Sequence, residues 1–177
     1  SFWGRTFGNE FAFDWGAAVT APYDEEFAKA IGLILLISLA PRLIRTAFDG
    51  LIVGSFIGLG FQIIENVTYG FNSAKGGFGA DQVGATAATL AVRLSAGLTS
   101  HWMYSGIFCA GLVWLIGRPD EPARRLRGVV LMVAAMLCHG FWDAAAGFSR
   151  LSPLGFVGIY VFVPLALIIL YRWCYKH

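Results

Sequence analysis

Ionisable side chains lie inside strongly apolar segments of this 177-residue chain, where such residues are rare and usually face the interior of a helix bundle. A glutamate can take a proton from water, and a histidine can hold that water, bind a metal or stabilise an oxyanion. The residue types therefore suit hydrolysis in a water-accessible cavity within a membrane. The candidates are Glu25, Glu26, Lys29, Glu65, Arg93, His101, His139 and Asp143.

Two histidines and a carboxylate would also make a reasonable zinc site, and we take His101, His139 and Glu65 as candidate ligands. The sequence contains no HExxH motif, which excludes a metalloprotease helix of the zincin type. It also contains no GxSxG motif and no convincing serine nucleophile. Zinc-assisted hydrolysis and hydrolysis by a glutamate-activated water without metal both stay open.

Members of this set also have simpler interpretations. Glu25 and Lys29 are four residues apart and could form an ordinary ion pair on one helix face. Glu65 could be the structural partner of a cation on another helix. His139 and Asp143 are harder to explain in this way, because functional histidines, such as metal ligands, are often oriented by a carboxylate that contacts the imidazole.

The composition places this chain in a membrane. Hydrophobic residues make up 57% of it, charged residues only 14%, and the mean hydropathy is +0.65. A soluble domain of this size could not bury so much apolar surface. The net charge of +2 is too small to imply nucleic-acid binding. The three cysteines have no metal-type spacing, and we expect them to be reduced thiols.

Apolar runs close to the ~20 residues that cross a bilayer mark about five transmembrane helices. The predicted spans are 25–40, 48–69, 83–117, 129–148 and 154–173. The third is too long for a single crossing, and we expect a break near Gly97. The runs are continuous rather than alternating, which argues against a barrel. The predicted fold is an all-α, polytopic transmembrane helix bundle.

Lysines and arginines are unevenly distributed between the predicted connections. Eight of them follow the first, third and fifth spans, whereas only Arg5, Lys75 and Arg150 lie on the opposite side. The positive-inside rule then predicts an N-terminus outside and a C-terminus in the cytoplasm. Residues 1–20 are rich in Phe and Trp and too polar to span, so we expect them to lie at the outer interface, before a transmembrane domain formed by residues 21–177.

The predicted helices bring the ionisable residues to a similar depth. At 1.5 Å per residue, Glu25, Glu65 and His101 lie about 21, 25 and 24 Å above the cytoplasmic ends of their helices. These heights fall in the outer half of a hydrocarbon core ~30 Å thick. We expect one cavity near the extracytoplasmic face to be lined by Glu25, Glu26, Glu65, His101, His139 and Asp143.

Small residues on the second predicted span form a packing ridge. Gly50, Gly54 and Gly58 recur every four residues, which lets a neighbouring helix approach closely. Glu65 is seven residues beyond Gly58 and so lies on nearly the same face. We therefore expect Glu65 to point at that helix rather than at lipid.

Four segments in order resemble the successive motifs of the PrsW family of intramembrane proteases. They are APYDEEFAKAIGL, FIGLGFQIIENVTYG, SHWMYSGIFCAG and LCHGFWDAAAG, and they extend over residues 21–147. This family is a bacterial branch of the superfamily that also contains the CAAX prenyl endopeptidases and the Aph-1 scaffold. One motif would be weak evidence, whereas four in order identify the chain as a member.

The resemblance implies an all-helical endopeptidase whose active site lies within the membrane. It implies that Glu25 or Glu26 acts as base, with Glu25 favoured, and that His101 and His139 lie near the attacked carbonyl. It also implies a bacterial cytoplasmic membrane and, in some relatives, cleavage of a membrane-anchored anti-sigma factor. The residues that we group around this centre in a supporting role are Lys29, Glu65, Asn66, Arg93 and Asp143.

Two other classes of function compete with this prediction. A non-catalytic scaffold or receptor of the same superfamily would use the polar residues to hold helices together or to bind a peptide. A proton or ion pathway would need polar residues in both halves of the membrane, but the cytoplasmic halves of these spans are almost wholly apolar. The presence of both glutamates and both histidines favours the peptidase.

Overall fold

Helices account for nearly all of the described chain. The computed structural model describes residues 2–176, and the side chains of all of these except residues 99, 146, 153, 156 and 176. No strand occurs within that range, which confirms the predicted all-α fold. The helices are α1 (Phe2–Phe7), α2 (Asn9–Leu39), α3 (Ala47–Gly76), α4 (Gln82–Ala96), α5 (His101–Ile116), α6 (Arg125–Asp143), α7 (Ala145–Leu151) and α8 (Pro153–Lys176).

Three helices of the described chain are long and apolar enough to cross a membrane, namely α3, α6 and the Val157–Tyr175 part of α8. α5 is also apolar but has only 16 residues. α2 has 31 residues, but the charges of Glu25, Glu26 and Lys29 interrupt its apolar half. These five helices correspond to the five predicted spans. A 3₁₀ turn at Gly97–Thr99 separates α4 from α5, which confirms the predicted break.

Several helix boundaries differ from the sequence-based expectation, among them the end of α3, which continues to Gly76 beyond the predicted end at 69. α2 begins at Asn9, so the predicted boundary after residue 20 falls inside a continuous helix. The early part of α2 packs on α7, where Arg150 forms an ion pair with the buried Asp14 at 3.1 Å. The fourth predicted span, 129–148, ends earlier than expected, because α6 ends at Asp143.

α5 lies at the centre of the bundle, in contact with α2, α3, α6 and α8. Every residue from 103 to 114 is buried, as expected of a helix that is apolar all round. The approach of α3 depends on the predicted glycine ridge. A methyl group on Gly54 would lie 2.5 Å from Cβ of Cys109 and 2.6 Å from the carbonyl oxygen of Ser105. The ridge thus sets the distance between two helices that carry predicted site residues.

Two carboxylates in the loop between α5 and α6 hold the arginine-bearing end of the bundle. Asp120 accepts two hydrogen bonds from Arg45, and this guanidinium lowers the pKa of Asp120 from its ordinary value. Glu121 accepts hydrogen bonds from the indole of Trp114 and from the backbone N–H of Ala47. Because that N–H is one of the unpaired donors at the start of α3, Glu121 joins α3 to the end of α5.

We expect Glu121→Ala to lower the free energy of unfolding by at least about 2 kcal/mol, because two buried donors lose their acceptor. Chemical unfolding in detergent micelles, followed by circular dichroism, would measure the change. Asp120→Asn is the control in the same loop, and it should have a much smaller effect because its ion pair is exposed. Equal losses in the two variants would contradict this account of the loop.

Candidate functional site

Helices α2 to α6 bring the predicted site residues into one cluster. The ring centroids of His101 and His139 are 5.1 Å apart, although these residues come from α5 and α6. Glu25 on α2 and Glu65 on α3 both lie against His101. The members of the cluster are Glu25, Glu26, Lys29, Glu65, Asn66, Arg93, His101, His139 and Asp143.

α2 and α6 come close together just before the pair of glutamates. Pro22 has no N–H, so the carbonyl of Ala18 lacks its usual helical hydrogen bond. A methyl group on Gly140 would lie 3.0 Å from that carbonyl oxygen, so a glycine there allows the two backbones to approach. One turn further along α2, Glu26 reaches His139 across the same contact.

Glu26 is completely buried, and three partners occupy its carboxylate. Its Oε1 lies 2.9 Å from Nζ of Lys29 and 3.1 Å from Nδ1 of His139. Its Oε2 accepts a hydrogen bond of 2.9 Å from the hydroxyl of Ser105. Because a buried carboxylate needs such partners, this residue is suited to orienting His139 rather than to meeting water.

Glu25 has the more accessible carboxylate of the pair, with 20% of its side chain exposed. Its Oε2 lies 3.2 Å from Nζ of Lys29, 3.5 Å from Nδ1 of His101 and 3.7 Å from Nε2 of His139. The carboxylate therefore faces both imidazoles and keeps access to solvent. Of the two glutamates, Glu25 is therefore better placed to act on water or to bind an ion.

A carboxylate holds His101 from the other side of its ring. Nε2 of His101 lies 2.8 Å from Oε2 of Glu65, which also accepts a hydrogen bond from Arg93. The same guanidinium donates to Asn66 at 2.8 Å and lies 3.9 Å from the centre of the Tyr69 ring. With Nε2 engaged in this way, Nδ1 is the nitrogen of His101 that faces the glutamate pair.

His139 is fully buried, and within the described residues neither of its ring nitrogens makes a hydrogen bond of good geometry. Nδ1 faces Glu26, and Nε2 lies 3.4 Å from Oδ2 of Asp143. The Tyr104 ring stacks on the imidazole, with centroids 4.8 Å apart and planes 11° apart. Since buried polar atoms normally find partners, Nε2, which faces Asp143 and Glu25, has capacity for a further ligand.

A cavity of about 200 Å³ opens beside this cluster. Glu65, His101 and Asp143 line it. Glu26 and His139 have no exposed surface and lie behind its wall. Of the six residues expected to line one cavity, Glu65, His101 and Asp143 do so. Glu25, Glu26 and His139 are not among its lining residues.

Glu25, His101 and His139 could together hold a metal ion, because one ligand atom from each lies within 4.8 Å of the others. Two imidazole nitrogens and a carboxylate oxygen are a donor set that suits zinc. Glu65, the carboxylate ligand suggested from the sequence, instead contacts Nε2 of His101 and pairs with Arg93. The geometry therefore favours Glu25 over Glu65 as the third ligand.

The charges of the cluster leave room for a bound cation. Its carboxylates outnumber its fixed cations by two when all four acids are ionised. Unbalanced charge is costly in a buried site, and a divalent cation, or protons on the histidines or the carboxyls, would neutralise it. This excess of acids and the position of Nε2 of His139 both fit a metal. The acids are Glu25, Glu26, Glu65 and Asp143, and the fixed cations are Lys29 and Arg93.

Tyr104 and Ser105 belong to this site, although the sequence analysis gave neither a chemical role. Tyr104 stacks on one histidine, and the hydroxyl of Ser105 binds the buried glutamate. They follow His101 by three and four residues, so they lie one turn further along the same helix face. This spacing is the feature of the sequence from which their place in the site could have been predicted.

Comparisons with known proteins identify the family of this chain. A model of the PrsW family intramembrane metalloprotease matches residues 2–169, a range that includes every member of the cluster. No curated protein and no solved structure matches the chain. The family match and the apolar helices together describe a multi-pass membrane peptidase. The chain belongs to the PrsW family of intramembrane metalloproteases.

Proposed function

We propose that this chain is an endopeptidase that hydrolyses a peptide bond of a membrane-anchored protein near the extracytoplasmic face of the membrane. Glu25, His101 and His139 are the residues that form the reactive centre. The observation that carries the proposal is the position of the Glu25 carboxylate, which faces both imidazoles within 3.7 Å and keeps access to solvent.

Glu25, His101 and His139 would hold a zinc ion. When bound, the ion supplies a Lewis acid that polarises the scissile carbonyl and lowers the pKa of a water. Glu65 at Nε2 of His101 and Glu26 at Nδ1 of His139 are the carboxylates that orient the two imidazoles. This leaves Nδ1 of His101 and Nε2 of His139 as the nitrogens that face Glu25.

Asp143 is the acid best placed to accept the proton that an attacking water gives up. It lines the cavity, and its Oδ2 lies 3.4 Å from Nε2 of His139. The other acids are engaged, because Glu26 is enclosed and Glu65 is shared between a histidine and an arginine. In a reaction without metal, Glu25 would take that proton instead.

The position of the centre along the helices supports an extracytoplasmic site. Glu25 lies about 21 Å along α2 from the end of that helix at Leu39, beside the arginine-bearing loops. The positive-inside rule assigns those loops to the cytoplasm, with the N-terminus outside and the C-terminus inside. The resemblance of the sequence motifs adds a bacterial cytoplasmic membrane and a substrate like a membrane-anchored anti-sigma factor.

Reconstitution in liposomes would test the proposed activity. We expect purified protein to cleave single-span peptides that carry a quenched fluorophore pair next to the membrane-spanning segment. A zinc chelator should stop cleavage, and added zinc should restore it. Binding of such peptides without cleavage in the presence of zinc would contradict the peptidase proposal and favour the non-catalytic scaffold.

A further inference from the structure

The ammonium group of Lys29 lies among the residues that would hold the metal. Its Nζ is 3.2 Å from Oε2 of Glu25 and 3.2 Å from Nδ1 of His101. It is also 2.9 Å from Oε1 of Glu26 and 4.1 Å from the centre of the Phe61 ring. Lys29 is 4% exposed, so this cation is confined to the site.

We propose that Lys29 is an internal competitor of the metal ion, sharing two of its ligands and so lowering the affinity of the site for zinc. The inference rests on the proposed function, because it takes Glu25, His101 and His139 as the ligands. In the site without zinc, the lysine compensates the glutamate pair. When zinc is bound, the lysine must give up its contacts with Glu25 and His101.

The competition follows from which atoms are shared. A zinc ion needs the lone pair of Nδ1 of His101 and an oxygen of Glu25, and both atoms contact the ammonium. Two cations that approach the same ligands also repel each other strongly where water is scarce. Both effects weaken zinc binding by comparison with a site that lacks the lysine.

The surroundings of Lys29 also offer the ammonium a second position. Glu26 binds it at a distance of 2.9 Å, and the face of the Phe61 ring attracts a cation. These two contacts involve none of the three proposed ligands. The lysine can therefore withdraw from Glu25 and His101 while it keeps a carboxylate and an aromatic ring as partners.

Zinc affinity, measured in detergent by competition with a chromophoric chelator, tests the inference directly. We expect Lys29→Met to bind zinc at least about 10-fold more tightly than the wild type. The double variant Lys29→Met with Glu26→Gln restores the net charge and spares the fold a buried, unpaired acid. It should also bind more tightly than the wild type, because the shared contacts are gone.

Arg93→Met is the matched control. It also removes one positive charge from the cluster, but it leaves in place the contacts that Lys29 makes with the proposed ligands Glu25 and His101. Because Arg93 pairs with Glu65 and Asn66 rather than with Glu25, this variant should tighten zinc binding far less than Lys29→Met does. Tightening in Arg93→Met equal to that in Lys29→Met would overturn direct competition in favour of a general charge effect.

The remaining outcomes separate the inference from the proposed function. A wild type that binds zinc, with unchanged or weaker binding in Lys29→Met and in the double variant, would overturn the role of Lys29 alone. A wild type and variants that all fail to bind zinc would overturn the proposed metal site and the inference with it.

Discussion

Glu25→Gln is expected to lower the rate of peptide-bond cleavage by at least ~10²-fold while the helix bundle stays folded. The amide keeps the shape of the side chain but removes the negative charge that faces His101 and His139. As a ligand, the amide would bind zinc poorly, and as a base it could not take a proton from water. The cleavage rate in liposomes and the circular dichroism spectrum would measure both parts of the prediction.

Asp24→Asn is the matched control, because it removes the neighbouring carboxylate, which is exposed to solvent. That variant should cleave at nearly the wild-type rate. Wild-type cleavage by a folded Glu25→Gln protein would contradict the assignment of Glu25. If Glu26→Gln were also fully active, the hydrolase account would fail and the scaffold would be the better explanation.

Gly58→Ala is expected to lower cleavage by at least ~10-fold, although it adds only one methyl group. The added carbon would overlap the carbonyl oxygen of His101 and lie 2.9 Å from Cβ of Ser105. Since the obstacle is backbone, α3 and α5 must move apart. His101 would then shift relative to Glu65 and Glu25, and packing would weaken by about 1–3 kcal/mol.

Gly60→Ala provides the control for this prediction, because nothing lies within 4 Å of the position of its added carbon. Both variants carry the same change in helix propensity, so the comparison isolates the contact between α3 and α5. Cleavage rates and zinc affinity should fall in Gly58→Ala and stay near wild type in Gly60→Ala. Equal behaviour of the two variants would contradict the role of the ridge in positioning His101.

The membrane class and much of the helix pattern could be predicted from the sequence, because they depend on local properties. Long apolar runs identify the helices, and Gly97 marks the point where the third run breaks into two. The start of α2 at Asn9 was missed, because it depends on tertiary contacts. The ion pair of Asp14 with Arg150 lets a polar segment pack on α7.

The difference between the two adjacent glutamates also depends on tertiary contacts and could not be predicted from the sequence. Glu25 and Glu26 have the same side chain and nearly the same depth, so periodicity cannot rank them. Ser105 and His139, which come from other helices, enclose Glu26 and leave Glu25 as the accessible acid. The choice of Glu25 over Glu65 as the third candidate ligand likewise depends on distances between helices.

Zinc content of the purified protein, measured by mass spectrometry alongside the peptidase rate, tests the central claim most directly. We expect stoichiometric zinc and active cleavage in the wild type. Both should be lost in Glu25→Gln and in His139→Gln, with the fold retained. A zinc-free wild type that cleaves at its full rate would contradict the metal site, and it would assign Glu25 the role of a base that acts without metal.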